Sequence, residues 1–207
     1  VADIKTSKML NLPVPKLKGG DYKTVVAPKS EALGEYVEKL AERSEIIRNG
    51  CDPRIDNMLL VTNDGRKAAL DLRMIDPSMP DLPDSKINMA VENIYRIWLE
   101  NKEDRLTQLV FCDLSTPRSD GEFNVYDDIK NKLIARGVPE EEIEFIHNAK
   151  TNPQKLKLFE DMRNGTKRIL IGSTSKMGAG MNVQDKLIAL HHLDCPWRPS
   201  DIEQREG

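Results

Sequence analysis

The feature that most constrains this chain is a set of short runs that are apolar on consecutive residues rather than on alternate ones. They cover residues 108–114, 143–147, 168–172 and 187–193. A strand with one wet face alternates apolar and polar side chains, so unbroken apolarity means burial on both faces. Helical segments separate these runs. Ser85 stands as a cap ahead of Ile87, Val91, Ile94 and Trp98, which recur at helical spacing. Residues 124–136 form a further helical pattern closed by Gly137. Asn152-Pro153 opens another, with the asparagine as cap, and Gly165 stops it. Ser200-Asp201 caps a last helix. Strands and helices in this alternation predict an α/β fold, a parallel sheet with helices on both faces.

The chain ahead of residue 85 has another character. It opens with an irregular stretch from Leu12-Pro13-Val14-Pro15 to Lys18-Gly19-Gly20, after which residues 22–27 predict a short strand. Ser30 then caps a helix whose apolar face is Leu33, Val37, Leu40 and Ile47. Gly50 ends it, since glycine accepts positive φ without steric cost. A second helix is predicted over residues 66–75, after an Asp64-Gly65 turn. Pro77, Pro80 and Pro83 forbid both helix and central strand and set the boundary. Residues 1–84 are therefore predicted as a mainly helical connecting or extension region, and residues 85–207 as the α/β domain.

Composition bounds the function classes. The 207 residues are 31% charged and 39% hydrophobic, a chain long enough for one to two domains. No run approaches the roughly 18 apolar residues of a membrane span, and no secretory segment opens the chain, so no membrane partner is expected. Cys51, Cys112 and Cys195 are odd in number and lack CxxC spacing. Neither a disulfide framework nor a zinc ribbon is indicated, and a reducing, cytoplasmic setting is expected. The net charge is −3 with no basic tail, so any contact with nucleic acid must come from a local patch. The chain begins at Val1 and stops at Gly207, and it reads as a piece of a longer polypeptide.

In open parallel sheets, ligands bind beyond the carboxyl ends of the strands. Beyond residues 168–172 comes Ser173-Thr174-Ser175-Lys176-Met177-Gly178-Ala179-Gly180-Met181-Asn182. Its hydroxyls, close glycines and Lys176 suit an anion cradled by backbone N–H groups; the alternative is an ordinary glycine-containing turn. Beyond residues 187–193 comes Asp194-Cys195-Pro196-Trp197-Arg198-Pro199-Ser200, then a helix start carrying Gln204 and Arg205. A planar guanidinium there can clamp a phosphate; the alternative is a packed loop with a surface arginine. The GxxxxGK-Ser/Thr phosphate loop, GxGxxG after a strand, HExxH and GxSxG are all missing from the sequence. His191 and His192 are adjacent on a strand and point to opposite faces, which argues against a metal site. Glu140-Glu141-Glu142 is expected as a solvated loop.

Taken together and in order, these pieces resemble the second RecA-like lobe of superfamily 2 helicases, particularly the Swi/Snf-like branch of DNA translocases. Gln108-Leu109-Val110-Phe111-Cys112-Asp113 is similar to that family's motif IV, and residues 173–182 to motif V with its GxGxN-type core. Trp197, Pro199, Asp201 and Gln204 match the series that precedes and opens motif VI. Gln204-Arg205-Glu206-Gly207 resembles the first four residues of QRxGR, so the chain ends within that motif, one position before the family's next arginine. The phrasing of residues 108–117 and the closing DIEQREG look closest to helicase/methylase proteins of bacterial mobile elements.

The resemblance implies a parent enzyme, an ATP-dependent double-stranded DNA translocase or helicase, with this chain as its second motor lobe and inactive as an isolated fragment. ATP and Mg2+ would be bound mainly by a first RecA-like lobe of the same polypeptide, which carries the Walker lysine and acidic magnesium ligand. Gly178, Gly180, Asn182, Gln204 and Arg205 would lie at the ATP-facing interface, Arg205 in a more structural than catalytic role. Ser173, Thr174, Lys176 and Trp197 would meet DNA. One rival is a non-hydrolytic RecA-like module that binds DNA or protein within a larger DNA-modifying protein. Another is an unrelated doubly wound enzyme such as a methyltransferase, against which stand the missing glycine-rich loop and catalytic tetrapeptide. The motor reading requires that the turn around Gly180 and the helix carrying Gln204 emerge side by side along one rim.

Overall fold

Strands buried on both faces need a layer of helix on each side, and the sheet has both. The computed structural model describes residues 17–117, 121–177 and 181–206. Four strands, β1 (Thr107–Phe111), β2 (Ile143–Phe145), β3 (Ile169–Gly172) and β4 (Leu187–His192), lie in the order β2-β3-β1-β4. Every pairing is parallel. Successive residues of β1 and β3 enter different cores. Val110, Cys112, Ile169 and Ile171 pack against α3 (Lys86–Glu100) and α4 (Val125–Ala135), through Ile87, Val91, Ile94, Trp98, Ile129 and Leu133. Leu109, Phe111 and Leu170 face the other way, onto Leu158, Phe159 and Met162 of α5 (Asn152–Asn164). Each such side chain contributes about 1.5–3 kcal/mol on burial, so this double core fixes the sheet.

Local signals set the helix ends. Ser85 accepts a hydrogen bond from the Asn88 N–H at 3.2 Å, and Asn124 accepts one from Asp127 at 2.9 Å. The cap of α5 is Thr151 rather than Asn152. Thr151 and Gln154 form a reciprocal capping box, which leaves Asn152 as the first helical residue and Pro153 in the first turn. The last helix, α7 (Pro199–Glu206), starts one residue before the expected Ser200. Proline's fixed φ suits a first helical position.

The N-terminal region departs further from expectation. Residues 22–27 form no strand, and among the described residues none pairs with them in a ladder. Ser30 does cap α1 (Glu31–Arg48), but the expected apolar face is only partly covered: Leu40 is buried, Leu33 and Ile47 are half-buried, and Val37 is 49% exposed. The second helix, α2, runs Met58–Leu70 rather than over residues 66–75. Its start is set by Asn57, whose side-chain oxygen accepts from the Leu59 and Leu60 N–H groups at 3.1 Å each. Asp64-Gly65 therefore sits inside the helix. A Cβ added at Gly65 would stand 3.4 Å from Leu40 Cδ1, an ordinary van der Waals contact at the face where α2 meets α1. Leu70 then joins the core of Ile87 and Val91. Arg73, buried just beyond it, pairs with Asp71 at 2.7 Å and Asp128 at 3.0 Å.

The Glu140-Glu141-Glu142 run is also corrected. It forms a 3₁₀ turn whose last carboxylate is buried. Trp98 Nε1 donates to Glu142 at 2.7 Å, and Arg105 pairs with it at 3.0 Å. Arg168, fully buried at the entry to β3, donates to the carbonyls of Trp98, Asn101 and Leu106. These contacts close the amino edge of the sheet. Among the described residues, no helix is long and apolar enough to cross a membrane.

At the opposite edge, β3 ends at Gly172, where a Cβ would overlap both Met177 Sδ and Ile146 Cγ2. Overpacking of this kind costs about 1–3 kcal/mol, so Gly172→Ala is expected to lower the urea midpoint accordingly. An unchanged midpoint would show that the site has slack.

Candidate functional site

Because β3, β1 and β4 are adjacent and parallel, the segments that follow them leave the sheet at one edge. After β1 comes Asp113. After β3 come Ser173 and the short helix α6 (Thr174–Met177), and after β4 come Asp194 and the loop into α7. The strand ladder continues briefly: Cys112 N donates to the Gly172 carbonyl and Leu193 N to that of Phe111, both at 3.0 Å.

Polar groups then take over. The Asp194 carboxylate accepts from the Asp113 and Leu114 N–H groups at 2.5 and 2.8 Å. The Asp113 carboxylate accepts from the Thr174 N–H at 2.6 Å and the Thr174 hydroxyl at 2.7 Å. Arg205, on α7, reaches into this cluster with a fully buried side chain. Its Nε donates to Thr174 Oγ1 at 2.7 Å, and Nη2 donates to Asp113 at 2.9 Å and Asp194 at 3.2 Å. Nη1 donates to the Asp194 carbonyl at 3.1 Å and lies 3.4 Å from His192 Nδ1. All five donors of the guanidinium thus have partners within the chain. Phe111 lies beneath it, with the guanidinium carbon 5.2 Å from the ring centre. Burial and then the Arg205 charge hold the His192 imidazole below its ordinary pKa.

Above this network lies an open cleft of about 410 Å³, lined by Asp113, Thr116, His147, Ser173–Ser175, Asp201 and Gln204. The His147 ring stands edge-on to Tyr126, and its pKa is lowered by burial and then by the Lys176 charge. A larger groove of about 630 Å³ lies elsewhere, between the segment around Lys23 and α3. Opposite charges interleave along it and no strand contributes to its wall, so the smaller cleft is the one that fits strand-end chemistry.

The expected site residues fall as follows. Ser173, Thr174 and Gln204 line the cleft, and Arg205 lies beneath it. Lys176 is exposed on α6. Asn182 is exposed, and its carbonyl accepts from Arg163 at 2.7 Å. Trp197 is 61% exposed on the loop into α7. Gly178 and Gly180 lie outside the described residues. Sequence reasoning did not single out Asp113 and Asp194 as site residues, although each is the first acidic residue beyond its strand. Nor did it find a role for His191. That ring is buried, with Nε2 at 2.9 Å from Gln108 Oε1, while Gln108 Nε2 donates to the Ile94 carbonyl at 3.0 Å. Gln108 Oε1 must then accept, so the neutral imidazole carries its proton on Nε2. Burial pushes the His191 pKa down to about 4.

Residues 86–207 match the family model described as the helicase conserved C-terminal domain. No curated protein gives a significant match to the chain.

Two outcomes follow from the geometry. Removing one member of a buried ion pair costs about 3–5 kcal/mol, because the other charge is left uncompensated. Arg205→Ala is expected to lose that much by urea denaturation, and a loss under about 1 kcal/mol would contradict the network. His191 is neutral when folded and titrates near 6.5 when unfolded, so its contribution is complete above pH 6.5. It is lost as pH falls from 6.5 towards 4, at up to about 1.4 kcal/mol per pH unit. His147 and His192 shift in the same direction and add to the slope. Urea midpoints between pH 7.5 and 4.5 should show this fall, and His191→Gln should flatten it in part.

Proposed function

The chain belongs to the family of helicase conserved C-terminal domains, and from that footing we propose that it is the second motor lobe of an ATP-dependent double-stranded DNA translocase or helicase. The observation that carries the reading is the junction of α6 and α7 through Arg205, inside the matched residues and directly beneath an open cleft. A motor lobe needs one surface that grips DNA and another that meets nucleotide, with a stiff link between them. Ser173, Thr174, Lys176 and Trp197 belong to the gripping surface. Gln204 belongs to the nucleotide-facing one, to which the motif resemblance also assigns Gly178, Gly180 and Asn182. The link is Arg205, whose bonds to Thr174 and Asp113 pass any displacement of α7 to α6.

ATP supplies the phosphoanhydride bond whose cleavage drives such a motor, and the sequence has no phosphate loop of its own to hold it. The described residues offer Mg2+ no cluster of three ligating side chains, and the Asp113 and Asp194 carboxylates are already held by Arg205 and backbone N–H groups. Nucleotide and metal are therefore assigned to a first RecA-like lobe of the same polypeptide. Residues 1–84 serve as the connection, fastened to the lobe by Leu70 and Arg73. The motif phrasing supports the Swi/Snf-like branch and the helicase/methylase proteins of mobile elements. The three unpaired cysteines suit a reducing, cytoplasmic setting.

The test is DNA-stimulated ATP hydrolysis by a longer polypeptide that includes a first RecA-like lobe and a complete QRxGR motif. Absence of hydrolysis there would refute the motor reading. The 207-residue chain alone is expected to show no hydrolysis and weak duplex binding, with a salt slope of about −0.9 per phosphate contact. Tight, salt-insensitive binding would contradict it.

A further inference from the structure

Two N-terminal residues with no part in the motor reading reach the rim across long stretches of sequence. Arg66, half-buried on α2, donates from Nη2 to the Cys195 carbonyl at 2.6 Å, and its guanidinium carbon stands 4.4 Å from the centre of the Trp197 ring. Tyr22, in the irregular segment before α1, donates its hydroxyl to Glu206 at 2.7 Å. One contact holds the loop leading into α7 and the other holds the last residue of α7, with Arg205 between them. The loop's own hydrogen bonds are local, from Cys195 Sγ to the Pro196 carbonyl and from Asp201 N to the Arg198 carbonyl. Its conformation therefore draws on what α2 supplies.

A guanidinium is the group suited to this task. Its flat face covers an indole while an N–H at its edge meets a carbonyl, so one rigid plane fixes both the tilt of the ring and the backbone two residues before it. An ammonium can make either contact but does not hold both in one plane. Trp197 is 61% exposed and would otherwise rotate freely. We propose that Arg66 is a positioning residue, through which the N-terminal helical unit holds Trp197 and the loop into α7 at the angle at which the indole meets nucleic acid. The proposal rests on the reading of Trp197 as a nucleic-acid contact.

The chain carries two tryptophans, and Trp98 is 4% exposed, so acrylamide quenching reports on Trp197. Arg66→Ala is expected to raise the quenching constant and to weaken binding of a fluorescein-labelled duplex oligonucleotide about threefold, the size an exposed cation–π restraint supports. Arg66→Lys keeps the charge and is expected to behave like Arg66→Ala in both measurements. Urea midpoints of both variants near that of the wild type would confirm that the change is local. Unchanged quenching in both variants would overturn the proposal. So would Arg66→Lys binding duplex like the wild type while quenching like Arg66→Ala, because Arg66 would then act only as a charge. Trp197→Phe separates the underlying reading. If that variant binds duplex normally while Arg66→Ala still raises quenching, the contact with Trp197 is real but its nucleic-acid purpose is overturned.

Discussion

The carboxyl edge of the sheet depends on a buried guanidinium. An arginine withdrawn from water is costly unless its donors are met and its charge is balanced. Arg205 satisfies this with Thr174, Asp113, Asp194 and His192, which come from the carboxyl ends of three different strands and the segments that follow them. None of these groups is a sequence neighbour of another apart from those around Asp194. The arrangement therefore exists only once β3, β1 and β4 are in register and α7 has docked. Conversely, an ordered α7 leaves α6 little freedom, because the Thr174 hydroxyl and amide answer to the same carboxylate that Arg205 holds.

The two edges of the sheet use the same residue type in different ways. At the amino edge, Arg168 is enclosed by the carbonyls of Trp98, Asn101 and Leu106, with Glu142 nearby and the Trp98 ring beside it. Nothing there opens to a cleft, and burial draws the guanidinium below its ordinary pKa. At the carboxyl edge, the Asp113 side chain keeps 29% of its surface and lines the cleft with Thr174 and Gln204. One arginine seals the sheet. The other connects its interior to residues that line an open cleft.

Much of the α/β region was legible because its signals are local. Consecutive apolar runs gave the two-faced burial of β1 and β3, and Ser85, Gly137 and Gly165 marked helix ends where they stand. The failures have a common cause in long-range contact. Residues 22–27 have strand-like composition but no ladder partner among the described residues, and Glu142 is buried because Trp98 and Arg105 reach it from distant positions. The start of α2 was instead misplaced because Asp64-Gly65 reads as a turn, whereas the cap that sets the start is Asn57, earlier in the chain. At the site, Ser173, Thr174, Gln204 and Arg205 could be named from their places after strands and from motif resemblance. Asp113 and Asp194 could not, since their roles depend on the strand order β3-β1-β4, which no local pattern encodes.

That the guanidinium binds this rim into one unit is tested most directly by amide hydrogen exchange at Thr174–Met177, compared between the wild type and Arg205→Ala. These amides lie on a different segment from the substitution, joined to it by side-chain bonds rather than by chain continuity. If the rim is one unit, their local exchange rises at least about tenfold, equivalent to about 1.4 kcal/mol of opening free energy, beyond any change seen in α3. Exchange at α6 that merely follows α3 would mean that α6 and α7 are independent neighbours, and the coupling at the centre of the motor reading would be lost.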